Sequence, residues 1–306
     1  MHEPLLFGVD FTSSPRRAKP IVVATLERLG TDTVRFVGLE ALSTWSMFDD
    51  FLMRPGPWVA GFDLPFGLPR PLVEALGWPT EWLASLAHYA GLERATLRET
   101  FKAWCDARPT GSKFAHRATD GPAGSSSSMK WVNPPVAWML HAGVPRLIDA
   151  CVLIPGLREH GVDRTRVALE AYPGWLARSI TRASYKSDTR AQQTDARRAS
   201  RATIVDALCD GRHALGTRLA IDAVARTTLI DDPSGDSLDA TLCALEAAWA
   251  DEQRRAGHAR YGLPDDVDPL EGWIVGVPRP PSFSRRREPS VVRRSLDVTG
   301  FPPSRE

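Results

Sequence analysis

The sequence predicts an α/β fold, a mixed sheet flanked by helices, on two observations. β-rich apolar runs follow one another over residues 5–67 in the order strand, strand, strand, helix, strand, with short turn signals between them. Three of the apolar runs also end on a single acid, at Asp10, Asp63 and Glu170. A carboxylate at a buried strand end is costly unless it is paired, hydrogen-bonded or bound to a cation.

Taken in order, Leu5–Phe11 climbs to Asp10 and then breaks into the polar bend Thr12–Lys19. Pro20–Leu26 and Thr33–Leu39 are two further β-rich runs about a turn at Gly30-Thr31-Asp32, which suggests an antiparallel meander. Ala41–Leu52 reads as a short helix, and Trp58–Gly67 as a fourth strand delivering Asp63 before a Pro/Gly turn. Pro69–Ala107 is helical in pattern.

Arg108–Pro135 is basic and Gly/Ser-rich, with Gly124–Ser128 at its centre. Two readings fit it equally: a disordered surface loop, or a mobile lid charged by Lys113, His116, Arg117 and Lys130. Arg166–Pro173 is the next strand-like run and carries Glu170; Pro173 opens a helix to about Thr181. A helix over Thr194–Asp210 and a last helix from Ser234/Asp236 to about Arg254 follow. Gly272–Val277 is expected to be a closing edge strand or lid. Residues 1–277 are read as one domain with an insertion at about 69–153, and 278–306 as a Pro/Arg-rich tail predicted to be disordered.

Composition excludes several classes. No run of about 18 apolar residues is present, which argues against a membrane span. Cys105, Cys151, Cys209 and Cys243 form no CxxC pair, so a structural zinc site is not expected, and buried free thiols in a reducing cytoplasm are. The early first strand leads to the expectation of no signal peptide. Net charge is +1, so no strong field announces nucleic acid. Seven arginines against three acids in Arg279–Glu306 leave the remainder slightly acidic. Walker-type, GxGxxG, HExxH and GxSxG patterns are absent.

The acids are expected to converge. Asp236 and Asp239, three apart at a helix start, share one face, which continues through the small residues Ala240, Cys243, Ala247 and Ala250 with Glu246 at its margin. Such a face packs close to a sheet and brings both aspartates to the strand ends. Clustered carboxylates repel unless protonated or bridged by cations, and oxygen-only sets suit Mg²⁺ or Mn²⁺. Two such ions support phosphodiester hydrolysis, with Asp10 on a central strand as the bridging ligand. Each acid also has a plainer explanation alone: a turn residue for Asp63, a helix-dipole partner for Asp236 and Glu170.

Gly8-Val9-Asp10, Gly61–Gly67, Glu170–Pro173, Tyr185-Lys186 and Asp236–Ala240 together resemble the bacterial and archaeal domain-of-unknown-function family 429. Its members are described as predicted nucleases with a ribonuclease H-like fold. The resemblance runs from about Leu5 to about Gly276 and implies an acidic site like that of the Holliday-junction resolvases. Asp10 matches their first-strand acid, Asp236 and Asp239 their D-x-x-D, and Asp63 their fourth-strand acid in position, where resolvases commonly carry glutamate. Glu170 is an addition typical of the family. Lys186 is either a contact for the scissile phosphate or a neutraliser of the acids. Arg16, Arg17 and Lys19 are either a backbone-binding element or a solvated loop.

The expectation is therefore a Mg²⁺- or Mn²⁺-dependent nuclease or phosphodiester hydrolase, cytoplasmic, acting on DNA or RNA. Asp10, Asp63, Glu170, Asp236 and Asp239 are the candidate ligands, and Lys186 joins them in the candidate catalytic set. Two alternatives stand beside it. One is an actin-like or sugar-kinase-like ATP-dependent phosphotransferase, although Phe11 stands where its phosphate loop needs glycine. The other is a non-catalytic module that binds nucleic acid or protein.

Overall fold

The computed structural model describes residues 3–280; most of the expected disordered tail, from residue 281 on, lies outside the described residues. Seven strands form one sheet: β1 (Leu5–Asp10), β2 (Ile21–Arg28), β3 (Thr33–Leu42), β4 (Trp58–Phe62), β5 (Val152–Leu153), β6 (Asp163–Glu170) and β7 (Arg218–Ala220). Their spatial order is β5-β6-β4-β1-β2-β3-β7. β1, β2 and β3 are the antiparallel meander expected from the sequence. β4, β6 and β5 extend it in parallel on the β1 side, and β7 adds in parallel to β3. The protein is thus a mixed α/β fold with a mostly parallel sheet covered by helices on both faces.

One face of the sheet packs under α1 (Trp45–Leu52), α2 (Arg70–Ala75), α3 (Trp82–Ala90) and α4 (Arg94–Asp106). The short α5 (Asp120–Ala123) follows, and α6 (Val136–Asp149) joins the same face. This core holds Val9, Ala60, Phe62 and Ala168 with an aromatic cluster of Phe7, Phe48, Phe51 and Trp58. The opposite face packs under α7 (Pro173–Ile180), α8 (Asp195–Asp210), α9 (Ala223–Asp231) and α10 (Asp236–Arg255), with Leu6, Val59, Val167 and Leu169 pointing into it. Period-two alternation along each strand produces these two cores.

Helix α10 lies directly on the central strands because two glycines make room. A β-carbon on Gly8 would stand 2.0 Å from the Ala240 carbonyl oxygen, and one on Gly61 2.4 Å from that of Cys243. The small-residue face is therefore the surface in contact with the sheet, as the sequence implies.

Several expectations are corrected. β3 extends to Leu42, and the helix expected from Ala41 begins at Trp45, where the Thr44 hydroxyl accepts from the Met47 amide at 3.2 Å. Gly272–Val277 is not a strand; it is a buried turn segment whose Val275 amide donates to the Glu170 carbonyl at 2.9 Å. The sheet edges are instead the short β5 and β7. The 108–135 segment is not a disordered surface loop, since Arg117, Asp120, Ser127, Ser128 and Met129 are all buried within it. All four cysteines are free as expected, but only Cys105 and Cys243 are buried; Cys209 is half-buried and Cys151 exposed. Among the described residues no helix is long and apolar enough to cross a membrane.

Candidate metal centre

Strand register decides which acids meet. Gly8 pairs with Gly61 and Val9 with Phe62 across the parallel β1–β4 ladder, and the Asp63 amide donates to the Val9 carbonyl at 2.9 Å. Asp10 and Asp63 each lie two residues beyond a glycine that abuts α10, so both project toward that helix. Asp239 lies one turn before Cys243, the residue whose carbonyl meets Gly61. The result is a three-acid group: Asp10, Asp63 and Asp239 each offer a carboxylate oxygen, all within 4.8 Å of one another. Asp239 is fully buried, Asp10 nearly so and Asp63 half-buried.

Glu170 is brought to the same end of the sheet but turned away. It pairs with Phe62 in the β4–β6 ladder, one residue short of Asp63, and so shares the opposite face with Phe62. There it meets Arg117: its two oxygens accept from the guanidinium at 2.6 and 2.8 Å, and the second also accepts from the Phe66 amide at 2.9 Å. Asp120 accepts from the same guanidinium at 2.9 and 3.1 Å. Glu170 is thus a buried, charge-paired residue rather than a fourth member of the group.

Asp236 and Lys186 lie alongside. Both Asp236 oxygens accept from the Lys19 ammonium, at 2.8 and 2.9 Å, and Lys19 also reaches Asp188 at 3.0 Å. Lys186 pairs with Asp239, whose other oxygen accepts from the Tyr185 hydroxyl at 2.5 Å. Lys19 therefore belongs to the acid site, not to a separate solvated loop. Arg16 and Arg17 remain exposed.

The electrostatics are those of an under-neutralised acid pocket. Burial, then the Asp239 and Asp236 carboxylates, push Asp10 well above the ordinary aspartate range, and Lys186 only partly opposes them. Burial raises Asp63 to about 7, with Lys186 again opposing and Asp239 and Glu170 adding. Burial also raises Asp239 against the pull of Lys186 and Tyr185. For Lys186, burial would lower the value, but Asp239 with its neighbours outweighs this and holds it well above the ordinary lysine range. Three converging carboxylates that resist ionisation without help, and offer only oxygen, fit a hard divalent cation.

Asp10 and Asp63 line a cleft of about 630 Å³, and Asp239 is fully buried next to them. The walls of the cleft come from Phe11–Ser13, Leu64-Pro65, Ser125-Ser126, Pro134–Val136, Met139, Ala171-Tyr172, Lys186–Asp188 and Ser234/Asp236. The 108–135 segment thus contributes a wall of the cleft; of Lys113, His116, Arg117 and Lys130, the charges expected of a mobile lid, only Arg117 lines it.

Sequence reasoning assigned no site role to Tyr185 or Glu246. Tyr185 is visible only as the neighbour of Lys186. Glu246 is fully buried on α10, accepts from the Tyr172 amide at 2.9 Å, and leaves its other oxygen without a hydrogen-bond partner. Burial pushes its carboxyl well above the usual range. Comparison of the chain with family models, with curated proteins and with solved structures finds no match.

Proposed function

We propose that the protein is a Mg²⁺- or Mn²⁺-dependent phosphodiester hydrolase, a nuclease acting on DNA or RNA, built on a ribonuclease H-like sheet. The observation that carries this reading is the convergence of Asp10, Asp63 and Asp239 within 4.8 Å, with Asp10 and Asp63 lining a cleft of about 630 Å³. The strand order supports the fold assignment: a meander with β2 antiparallel at the centre and parallel strands continuing past β1. Acids at the ends of its first and fourth strands and at the start of its last helix are the set implied by the resemblance to domain-of-unknown-function family 429.

Asp10, Asp63 and Asp239 would hold the cation, which supplies charge stabilisation and water activation when bound. Lys186 and Lys19 both line the cleft; Lys186 already neutralises Asp239, and Lys19 pairs with Asp236 and Asp188. Once a cation neutralises Asp239, the Lys186 ammonium would be placed to meet the phosphate oxygens of the substrate. Tyr185 orients Asp239 by its hydroxyl. Arg117 positions Glu170 and the wall of the cleft rather than the reacting group.

The phosphotransferase alternative requires open backbone just after Asp10, where Phe11 is instead buried against Trp45 and Phe48. The test is hydrolysis of a labelled oligonucleotide with Mn²⁺ and with chelator, for the wild type and Asp10→Asn. Cation-dependent cleavage lost in the variant, with its circular dichroism unchanged, supports the reading. Cleavage retained by Asp10→Asn, or indifferent to chelator, overturns it.

A further inference from the structure

The shape and lining of the cleft restrict what can reach the acids. Its volume of about 630 Å³ is that of a small-molecule site, in the usual range of about 300–1,000 Å³. Asp239 is fully buried and Asp10 is only 7% exposed. A phosphate must therefore descend between the walls to meet them. Recognition of a duplex uses a surface of about 1,000–2,500 Å² that is strongly positive. Here the charged lining is Asp10, Asp63, Glu170, Asp188 and Asp236 with Lys19, Arg117 and Lys186, which is not the broad positive surface that a duplex uses.

The walls are chemically unequal. The segment leading into α6 contributes only apolar side chains, Pro134, Pro135 and Val136, with Met139 one turn on. Lys19, Lys186 and the 187–188 and 234–236 segments contribute polar and charged groups. An apolar wall in the same cleft as Lys19 and Lys186 is complementary to a base attached to its sugar phosphate.

The enclosing rim is braced. The Ser125 hydroxyl donates to Asp120 at 3.1 Å and its amide to the Asp120 carbonyl at 2.9 Å. Asp120 is itself locked to buried Arg117. The Ala137 amide donates to the Lys130 carbonyl at 2.9 Å, which ties the segment to α6. A wall held this way does not fold back to admit a double helix.

We infer that the cleft accepts a single unpaired nucleotide unit, its base against the Pro134–Met139 wall and its phosphate at the acids, and excludes duplex. The inference rests on the phosphodiesterase reading and names its substrate class. Two sources supply that unit as a phosphodiester, the unpaired strand of a nucleic acid and a free cyclic nucleotide.

The experiment is an anisotropy titration of the full chain, in Mn²⁺, against a fluorescein-labelled oligodeoxynucleotide. The oligonucleotide is presented as a single strand and as a blunt duplex of the same sequence, with a nucleoside 3′,5′-cyclic monophosphate as competitor. The single strand is expected to bind tighter than the duplex by roughly tenfold or more. Met139→Asp is expected to weaken single-strand binding by a similar factor while calorimetric Mn²⁺ binding stays unchanged. Displacement by low concentrations of the cyclic monophosphate assigns the site to free cyclic nucleotides, and resistance to it assigns the site to strands. Equal or tighter binding of duplex overturns the inference and leaves the phosphodiesterase reading standing. Mn²⁺ binding with no affinity for either nucleic acid or the cyclic monophosphate overturns both.

Discussion

Arg117 grips Glu170 through both terminal guanidinium nitrogens, at 2.6 and 2.8 Å, joining the 108–135 segment to the end of β6 with both side chains almost wholly buried. The same guanidinium holds Asp120 and donates to the Glu271 carbonyl at 3.1 Å. One cation thus fixes the cleft wall, the sheet end and the turn segment after Asp268. Removing it leaves two buried carboxylates without their counter-charge, which costs about 3–5 kcal/mol. Arg117→Met is expected to destabilise by that amount in denaturant titration. The double variant Arg117→Met/Glu170→Gln should recover part of the loss. A single variant with unchanged stability would show that the network is not what holds the wall.

The contact between Gly8 and α10 yields a second prediction. A methyl group at Gly8 meets backbone atoms, the Ala240 oxygen at 2.0 Å and the Ala244 nitrogen at 2.1 Å, so the helix itself must move. Gly8→Ala is expected to cost about 3 kcal/mol or more, at the upper end of overpacking, and to weaken cation binding by displacing Asp239. Gly38→Ala, on β3 with nothing within 4 Å of the added carbon, is the control and should be near neutral. Equal behaviour of the two variants would contradict the close packing of α10.

The pH dependence has a definite sign. Asp63, raised chiefly by burial, holds its proton up to about pH 7 in the folded, cation-free protein. An unfolded aspartate releases its proton near about 3.9. Between these values the folded state binds more protons, so this contribution is complete at low pH and is lost as pH rises through about 7. Thermal unfolding without cation should therefore show stability falling by roughly 2–3 kcal/mol from about pH 5 to pH 8 from this site. Saturating Mn²⁺ should remove the fall, because it takes the ionised carboxylate. Mn²⁺ affinity should correspondingly rise with pH. Cation-free stability rising across that window would contradict the assignment.

Much of this arrangement is legible in the sequence because strand and helix periods are local. The runs ending at Asp10 and Asp63 and the small face of α10 are patterns of neighbouring residues, and the meander follows from short turns. Glu170 shows where local reading stops. Whether it faces α10 or the other core depends on its register against Phe62, a parity that no residue near it encodes. The pairing of Lys19 with Asp236 spans 217 positions and that of Arg117 with Glu170 spans 53. Charge alone therefore cannot assign these partners. The 108–135 segment has the composition of a solvated loop, yet the ion pairs of Arg117 and burial of Met129 order it. The three-residue β7 is too short to carry a periodic signal.

The measurement that tests the central claim most directly is Mn²⁺ binding by titration calorimetry, on the wild type, Asp10→Asn and Asp239→Asn. These residues come from β1 and from α10, and are brought together only by the packing of that helix on the sheet. The account predicts binding by the wild type and its loss in both variants, each still folded by circular dichroism. Wild-type protein that binds no Mn²⁺, or binding left untouched by either substitution, would contradict it.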